Sequence, residues 1–380
     1  MTMLCYPIPI PKTKKIAFEK VIQFKETDTN LELNNLSLKR KQVEDIMNRS
    51  FLGTEAIVRE DLLRIEEYLT SLQNLIDNLN KPCNEATKNS FYKSLKILWS
   101  SPLTYCCKPS NGLSFTRILQ RKCKCKSSSF YQVNGILFEL YMVQFLYALK
   151  LREKAMELIP TDMVQSTTAY REAAGVFDYL SQIVHPIYTH SGLIKTLPEL
   201  TSSVCSSMSL LCLAEGQAVT VKKAKETGTS ASLMTKLHYG VTQFVTEANI
   251  QDKELSFRFS DYVSTLGALH ELKSGKNLAE SLESEGKVGE AIGVLRRALA
   301  TTKKTTQSRD STWKSIFSKE KDQVTTMMNK YERLNKSMML QRIPLEAELP
   351  LLQGEKIVRL ITYHPTKKEK ELNFELKPKK

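Results

Sequence analysis

The stretch ILFELYMVQFLYALKLREKAMEL, which follows Asn134-Gly135, is apolar on almost every side as far as Lys150. Wound into a helix it has no polar face to offer water, so other elements must surround it. The rest of the chain must therefore supply enough amphipathic segments to build a bundle or a stack around it. With only 14 Gly and 13 Pro in 380 residues, tight turns are too few for an all-β fold. The length suits either two average domains or one elongated domain of stacked helices.

The remaining segments read mostly as helices. Residues 1–34 are the exception: Ile8, Ile10, Ile16, Phe18, Val21, Ile22 and Phe24 stand among prolines and lysines with partial alternation, which predicts one or two short strands in a small sheet or an arm laid on the helices. Helices are predicted at Leu38–Met47, at Glu55–Leu79 with Ile57, Leu62, Ile65, Leu69, Leu72, Ile76 and Leu79 on its apolar stripe, and at Asn84–Trp99. Residues 101–131 form a Cys- and Lys-rich insertion. Helix Asp162–Val184 brings the small residues Ala173, Ala174 and Gly175, which permit close helix approach, and Pro186 is expected to close it. A hairpin spans Glu254–Lys303; its GKVGEAIGVLRRAL places Ala291, Leu295, Ala298 and Leu299 inward, in the manner of tetratricopeptide helices but without a regular period elsewhere. A helix at Lys319–Leu340 follows. Beyond Pro344 the chain is punctuated by proline, and residues 351–380 read as an extended or disordered basic tail.

Leu210–Gly240, LLCLAEGQAVTVKKAKETGTSASLMTKLHYG, is a helical hairpin. Leu210, Leu213 or Ala214, Gln217, Val221 and Ala224 follow at helical spacing, and the turn Thr227–Ser230 breaks the pattern. The second helix carries Leu233, Leu237, Val241 and Phe244 on one stripe, with Lys236 and Thr235 off it and Ser230 as N-cap. Lys222, Lys223, Lys225 and Lys236 gather toward the loop. Periodicity alone reads Leu233 and Leu237 as core, with a surface groove as the alternative.

The chemistry of most enzyme classes is missing from the sequence. It has no phosphate-binding glycine loop, no GxGxxG, no GxSxG and no HExxH. His270-Glu271 lacks the second histidine a zinc helix needs; His185 and His190 flank a proline-containing loop and read as surface or hydrogen-bonded imidazoles. Cys106, Cys107, Cys123 and Cys125 are spaced as CC and CxC, not as the CxxC knuckles that place two thiolates on one ion. Cys205 and Cys212 read as small core residues. No catalytic, cofactor or metal residue is expected. The formal charge of +14 suits an acidic partner or simply a solvated lysine surface. The lysines are scattered and lack aromatic interleaving, so nucleic acid is not expected. The N-terminus has no apolar run after a basic start, the charge-free stretch to test as a membrane span, Leu200–Ala214, is too short to cross a bilayer, and eight cysteines suggest reduced thiols in the cytosol.

A succession of motifs adds to this reading. AAGVFDYL (Ala173–Leu180), SLLCLAEGQAVTVKKA (Ser209–Ala224), SASLMTKL (Ser230–Leu237), EGKVGEAIGVLRRAL (Glu285–Leu299) and NKSMMLQRIP (Asn335–Pro344) together make the chain resemble the BRO domain, the endosomal-targeting domain of the Alix, Brox and yeast Bro proteins. The match covers most of residues 130–350. The resemblance implies a mainly α, boomerang-shaped stack of helical hairpins with a tetratricopeptide-like core, a small N-terminal β-sheet and a C-terminal segment that folds back. The expected organisation is a BRO-like domain over residues 1–350 (an extended or β arm at 1–34 and a helical core at 35–344) followed by the tail. The resemblance also implies a non-catalytic adaptor that binds the C-terminal amphipathic helix of an ESCRT-III subunit, cytoplasmic and recruited to endosomes. Its contact patch would fall on Leu233, Leu237 and Thr220, with Lys236 beside them. Thr220 stands where family members carry Phe, which removes an apolar contact worth roughly 1–3 kcal/mol. LAEGQA brings Gly216 and Ala218 in place of the usual residues, and Met339 replaces a Tyr. No coiled-coil domain, Pro-rich tail or prenylation cysteine is expected after Lys380. The alternatives are docking of a basic surface on anionic membranes, or a diverged helical scaffold with an unrelated partner.

Overall fold

The computed structural model describes residues 3–21, 24–49, 55–81, 84–104, 130–188, 197–248, 255–304, 308–366, 371–372 and 374. Ten α-helices occur among them: α1 Thr27–Asn48, α2 Glu55–Leu79, α3 Glu85–Ser94, α4 Ile136–Leu158, α5 Met163–Tyr188, α6 Ser202–Glu226, α7 Ala231–Ala248, α8 Phe257–Ser284, α9 Val288–Lys304 and α10 Ser311–Leu334. From α4 to α9 each helix packs on the next in sequence, so the fold is a mainly α stack of helical hairpins.

α4 lies at the centre, as its composition requires, with nearly its whole length buried. It also buries charge. Glu139 accepts from Arg40 Nε of α1 (2.8 Å), Tyr68 OH of α2 (3.0 Å) and Trp99 Nε1 (2.7 Å). At its other end Arg152 Nε donates to Glu215 Oε2 of α6 (2.7 Å), and Tyr262 OH of α8 donates to Glu215 Oε1 (2.6 Å). Both arginines also reach the N-terminal arm. Arg40 donates to the Lys14 carbonyl (2.9 Å) and the Thr13 hydroxyl (2.7 Å), and Arg152 to the Tyr6 carbonyl (2.7 Å). The arm is thus fastened by buried charge, with Leu4, Tyr6 and Ile8 sunk into the apolar core.

The described strands lie elsewhere than expected. β1 (Lys96–Ser100) and β2 (Phe130–Asn134) pair antiparallel, with Trp99 opposite Tyr131. The helix predicted over Asn84–Trp99 stops at Ser94, where the alternating KILWS takes over: Lys96 is exposed while Ile97 and Trp99 are buried. The arm lies along β1, Ser100 N donating to the Lys12 carbonyl (2.7 Å) and Lys14 N to the Leu98 carbonyl (3.2 Å). Helix α1 begins at Thr27, inside the segment read as extended; α5 continues past Pro186 to Tyr188. Helix α10 begins earlier than predicted because Asp310 caps it, accepting from Thr312 N (3.0 Å) and Trp313 N (3.3 Å). On α2 the predicted stripe is buried except at Ile57, which is exposed. Cys106, Cys107, Cys123, Cys125 and the side chains of His185 and His190 lie outside the described residues.

The described part of the C-terminal segment, 351–366, holds no helix or strand and is bonded to the helices. It runs back across α7, α6 and α5 as a strap: Glu355 N donates to the Lys236 carbonyl (3.0 Å), Ile357 N to Gln217 Oε1 (3.1 Å) and Ile361 N to the Arg171 carbonyl (3.1 Å). Further on, Leu372 N meets Asn78 Oδ1 (3.2 Å), and the Phe374 ring stands edge-on to Phe24 at 5.1 Å. Two glycines make this passage possible. A Cβ on Gly175 would sit 1.8 Å from the Ile361 carbonyl oxygen, and one on Gly240 would sit 2.4 Å from that of Glu355. The small residue at 175 therefore admits the strap rather than a neighbouring helix.

Candidate functional site

α6 and α7 form the expected hairpin. Thr201 caps α6, its hydroxyl accepting from Val204 N (3.2 Å), and Ser230 caps α7, accepting from Leu233 N (3.4 Å). Helix α6 is held tightly from within: Ser209 Oγ donates to the Ala174 carbonyl of α5 (2.8 Å), and Ser207 Oγ donates to the Ala248 carbonyl at the end of α7 (2.5 Å). Cys205 and Cys212 are buried, and desolvation pushes both thiols far above their ordinary range, which suits inert core residues. At 25 residues α6 is longer than its charge-free part suggested and apolar enough to cross a membrane, but 83% of that window is packed inside the protein. It is a core helix.

The four residues marked by the sequence divide between surface and interior. Leu233 is 40% exposed, whereas Leu237 is 4% exposed and belongs to the core with Val241 and Phe244. The Leu237 carbonyl accepts from Gln217 Nε2 (2.9 Å), which ties α7 to α6 at that turn. Thr235, predicted off the apolar stripe, is buried and back-bonds to the Ala231 carbonyl (2.9 Å). The helix faces the core with Met234, Leu237, His238, Val241 and Phe244, so the predicted stripe is buried at three of its four positions and leaves only Leu233 outside. Lys236 is exposed, and its carbonyl holds the strap. Thr220 is half-buried; its hydroxyl donates to the Gly216 carbonyl (3.0 Å) and lies 3.5 Å from the Thr167 hydroxyl of α5.

These contacts outline a surface that spans α5, α6 and α7 and is bordered by the strap. Thr220 meets α5 through Thr167 and stands one turn from Gln217, which bonds both α7 and the strap. Val164, one turn from Thr167, is 50% exposed, and Ile357 of the strap, bonded through its backbone to Gln217, is 44% exposed. Neither residue was marked by the sequence. Val164 stands apart from the apolar stripe of its helix, and Ile357 reaches the hairpin only because the strap folds back. Sequence spacing carries no signal for a contact between positions so far apart.

Behind the surface, the hairpin is joined to α8 by buried polar groups. His238 Nδ1 and His270 Nδ1 lie 3.1 Å apart, and Ser274 Oγ donates to the Thr235 carbonyl (2.9 Å). Burial and the nearby Lys273 hold the pKa of His238 well below the ordinary histidine value; burial, His238 and Lys273 do the same for His270. Among the described residues no group of three or more His, Cys, Asp or Glu side chains comes together in a way that could hold a metal ion. A wide depression of about 830 Å³ between α8 and α10, with Lys276, Met327 and Tyr331 on its walls, involves none of the hairpin residues.

A family model described as the BRO1-like domain matches residues 57–378 of the chain. The match runs past the boundary expected at 350, in keeping with the packed strap. No curated protein sequence matches. Among solved structures, ALIX in complex with the SIVmac239 PYKEVTEDL late domain shares 15% identity with a TM-score of 0.74; the alignment covers 95% of this chain and 49% of that one, so the chain spans about half its length. The ALIX BRO1–CHMP4C complex shares 16% identity at a TM-score of 0.69, covering 94% of this chain and 95% of that one. A structure described as the basis for endosomal targeting by the Bro1 domain gives 16% identity and a TM-score of 0.69, covering 95% of this chain and 94% of the other. At these identities the likeness is one of fold.

Proposed function

We propose that this chain, which belongs to the BRO1-like domain family, is a non-catalytic adaptor of endosomal sorting that seats an amphipathic helix of an ESCRT-III subunit on the α5–α6–α7 surface. The observation that carries this reading is that Leu233, Val164 and Ile357, all large, apolar and exposed, belong to the three elements that bond to the half-buried Thr220 or to Gln217 one turn away. An apolar strip flanked by polar groups is what the apolar face of a helix needs, with anchors at successive turns. Lys236, and Lys223 near the end of α6, are exposed beside it and would complement acidic residues on the polar side of such a helix. The ALIX BRO1–CHMP4C complex supports the partner class, since it joins a domain of this fold to an ESCRT-III protein.

Leu237 acts in this reading from below. It fixes α7 on α6, and a charge placed there would disrupt the core rather than a contact. The test therefore uses surface positions. Leu233→Asp and Val164→Asp are each expected to weaken binding of a peptide from an ESCRT-III C-terminal helix by roughly tenfold or more while leaving the melting temperature unchanged. Thr220→Phe is expected to strengthen it, by up to roughly 1–3 kcal/mol of restored apolar contact. Titration of the labelled peptide by fluorescence anisotropy measures all three; equal affinity in wild type and both Asp variants would remove the site from this surface.

A further inference from the structure

The connection that leaves α10 is built unlike the rest of the surface. From Leu334 the chain passes through a π-helical turn, Asn335–Met339, into Leu340, whose φ of 50° makes it the one non-glycine residue in the left-handed region among the described residues. That conformation sets the leucine Cβ against the following carbonyl oxygen and persists only when neighbouring groups impose it. Here they do. Leu340 N donates to the Asn335 carbonyl (2.8 Å), Gln341 N to Asn335 Oδ1 (2.9 Å), and Asn335 Nδ2 to the Gln341 carbonyl (2.9 Å). The Gln341 amide then bolts the turn to the α8–α9 junction, donating to the Gly286 carbonyl (2.7 Å) and accepting from Gly289 N (2.9 Å).

The product of this bracing is a projection. Met338 is 73% exposed and Leu340 78%. A side chain with three quarters of its surface open has neighbours on one side only, so these two stand out from the protein rather than line a groove. They are unbranched or γ-branched and apolar, and they are held out by hydrogen bonds instead of being folded back onto Ile343 or Leu334, which pack on the core nearby. Within the segment Arg333–Arg342, RLNKSMMLQR, charge is of one sign, three cations and no carboxylate, in a chain of formal charge +14; the flanking Glu332 and Glu348 are paired with Arg296 and Arg342. Arg342 is engaged by Glu348 (2.8 Å), whereas Lys336 within the turn and Arg333 just before it are exposed, Arg333 Nε donating to the Asn329 carbonyl of its own helix (3.2 Å).

A projecting apolar tip with exposed cations beside it complements one kind of surface best. We propose that Met338 and Leu340 form a preorganised finger that inserts at the headgroup–acyl boundary of an anionic phospholipid bilayer, while Arg333 and Lys336 meet the phosphates. A bilayer is deformable and needs no matching pocket, and its anionic headgroups supply the counter-charge. The finger lies on α10 and its connection, whereas the helix-binding surface lies on α5–α7, so the two can be occupied together.

The experiment is vesicle flotation of the full chain, with phosphatidylcholine vesicles against vesicles that also contain phosphatidylserine. Wild type is expected to float with the anionic vesicles only, and increasingly weakly as salt is raised. Met338→Ser combined with Leu340→Ser is expected to lower the bound fraction more than about tenfold at constant salt, and Lys336→Glu to lower it as well. Insertion itself is read from Met338→Trp: Trp99 and Trp313 are buried, so a blue shift on adding anionic vesicles reports the new indole alone. Equal flotation of the double serine variant, equal binding to neutral vesicles, or an indole emission that does not move would each overturn the proposal. So would a wild-type dimer in sedimentation that Leu340→Ser dissolves and vesicles do not, since the finger would then belong to a second copy of the chain. Should the serine variant melt early, the indole shift decides, because that variant keeps a large apolar residue at 338.

Discussion

Two apolar cores form among the described residues, and they treat charge differently. The larger takes in the N-terminal arm, α1–α7, the first half of α8 and the strap, and holds Arg40–Glu139 and Arg152–Glu215 almost fully buried. The smaller lies between the second half of α8, α9 and α10, with Leu349 closing it, and the ion pairs there, such as Arg296–Glu332 and Arg342–Glu348, stay at the surface. The difference follows from thickness. A core several helices deep excludes water from a charge on every side, so each buried charge must have a partner and a full set of hydrogen bonds. A three-helix core has no such interior, and its pairs remain solvated and contribute little. Helix α8 crosses from one to the other: Leu269 belongs to the first and Leu272 to the second, and the seam is marked by buried His270, Lys273 and Ser274.

The contrast is open to direct attack. Glu215→Gln removes the charge that satisfies Arg152 and accepts from Tyr262, leaving a buried guanidinium without its counter-charge; a loss of roughly 3–5 kcal/mol is expected in urea unfolding. Leu349→Ala empties part of the smaller core at a cost of about 2–3 kcal/mol. Hydrogen exchange should then quicken in α9 and α10 and stay unchanged in α4–α6, and a uniform rise across both would break the distinction between the cores.

The seam adds a dependence on pH. Burial holds the folded-state pKa of both His238 and His270 well below the ordinary histidine value, so the unfolded chain binds protons that the folded chain refuses. Their contribution to stability is complete above pH of about 6.5 and is lost as pH falls below it, by about 1.4 kcal/mol per pH unit for each histidine. His270→Gln should halve the acid slope due to this pair, measured as urea midpoints between neutral and mildly acidic pH. The smallest effect is expected at the finger. Leu340→Gly relieves the left-handed conformation and removes a side chain that touches little, so stability should rise by about 1 kcal/mol in thermal melts, with neither core disturbed.

Much of this was legible from the order of residues. The apolar continuity of α4 demanded a central position, and α2 was delimited to the residue by its period and its flanking Lys-Pro. The hairpin of α6 and α7, with its polar turn and Ser230 cap, was equally local in origin. Errors arose where a local pattern competed with a distant partner. KILWS continues a helical segment in sequence, but the arm and β2 draw it into a strand; on α7 the polar Thr235 is buried beside the predicted stripe because its hydroxyl and carbonyl find partners in its own helix and on α8.

What the sequence determined by itself is the helical inventory and the family, because periodicity, caps and motif succession act over a few residues at a time. The tertiary structure decided which of those residues face outward. Leu233 and Leu237 are equivalent in spacing, yet the Gln217 bond and the strap enclose one and leave the other open. Gly175 looks like a helix contact until the returning chain passes over it, as it does over Gly240. Burial is a property of what packs alongside, and in this protein the packing partners come from the far ends of the chain.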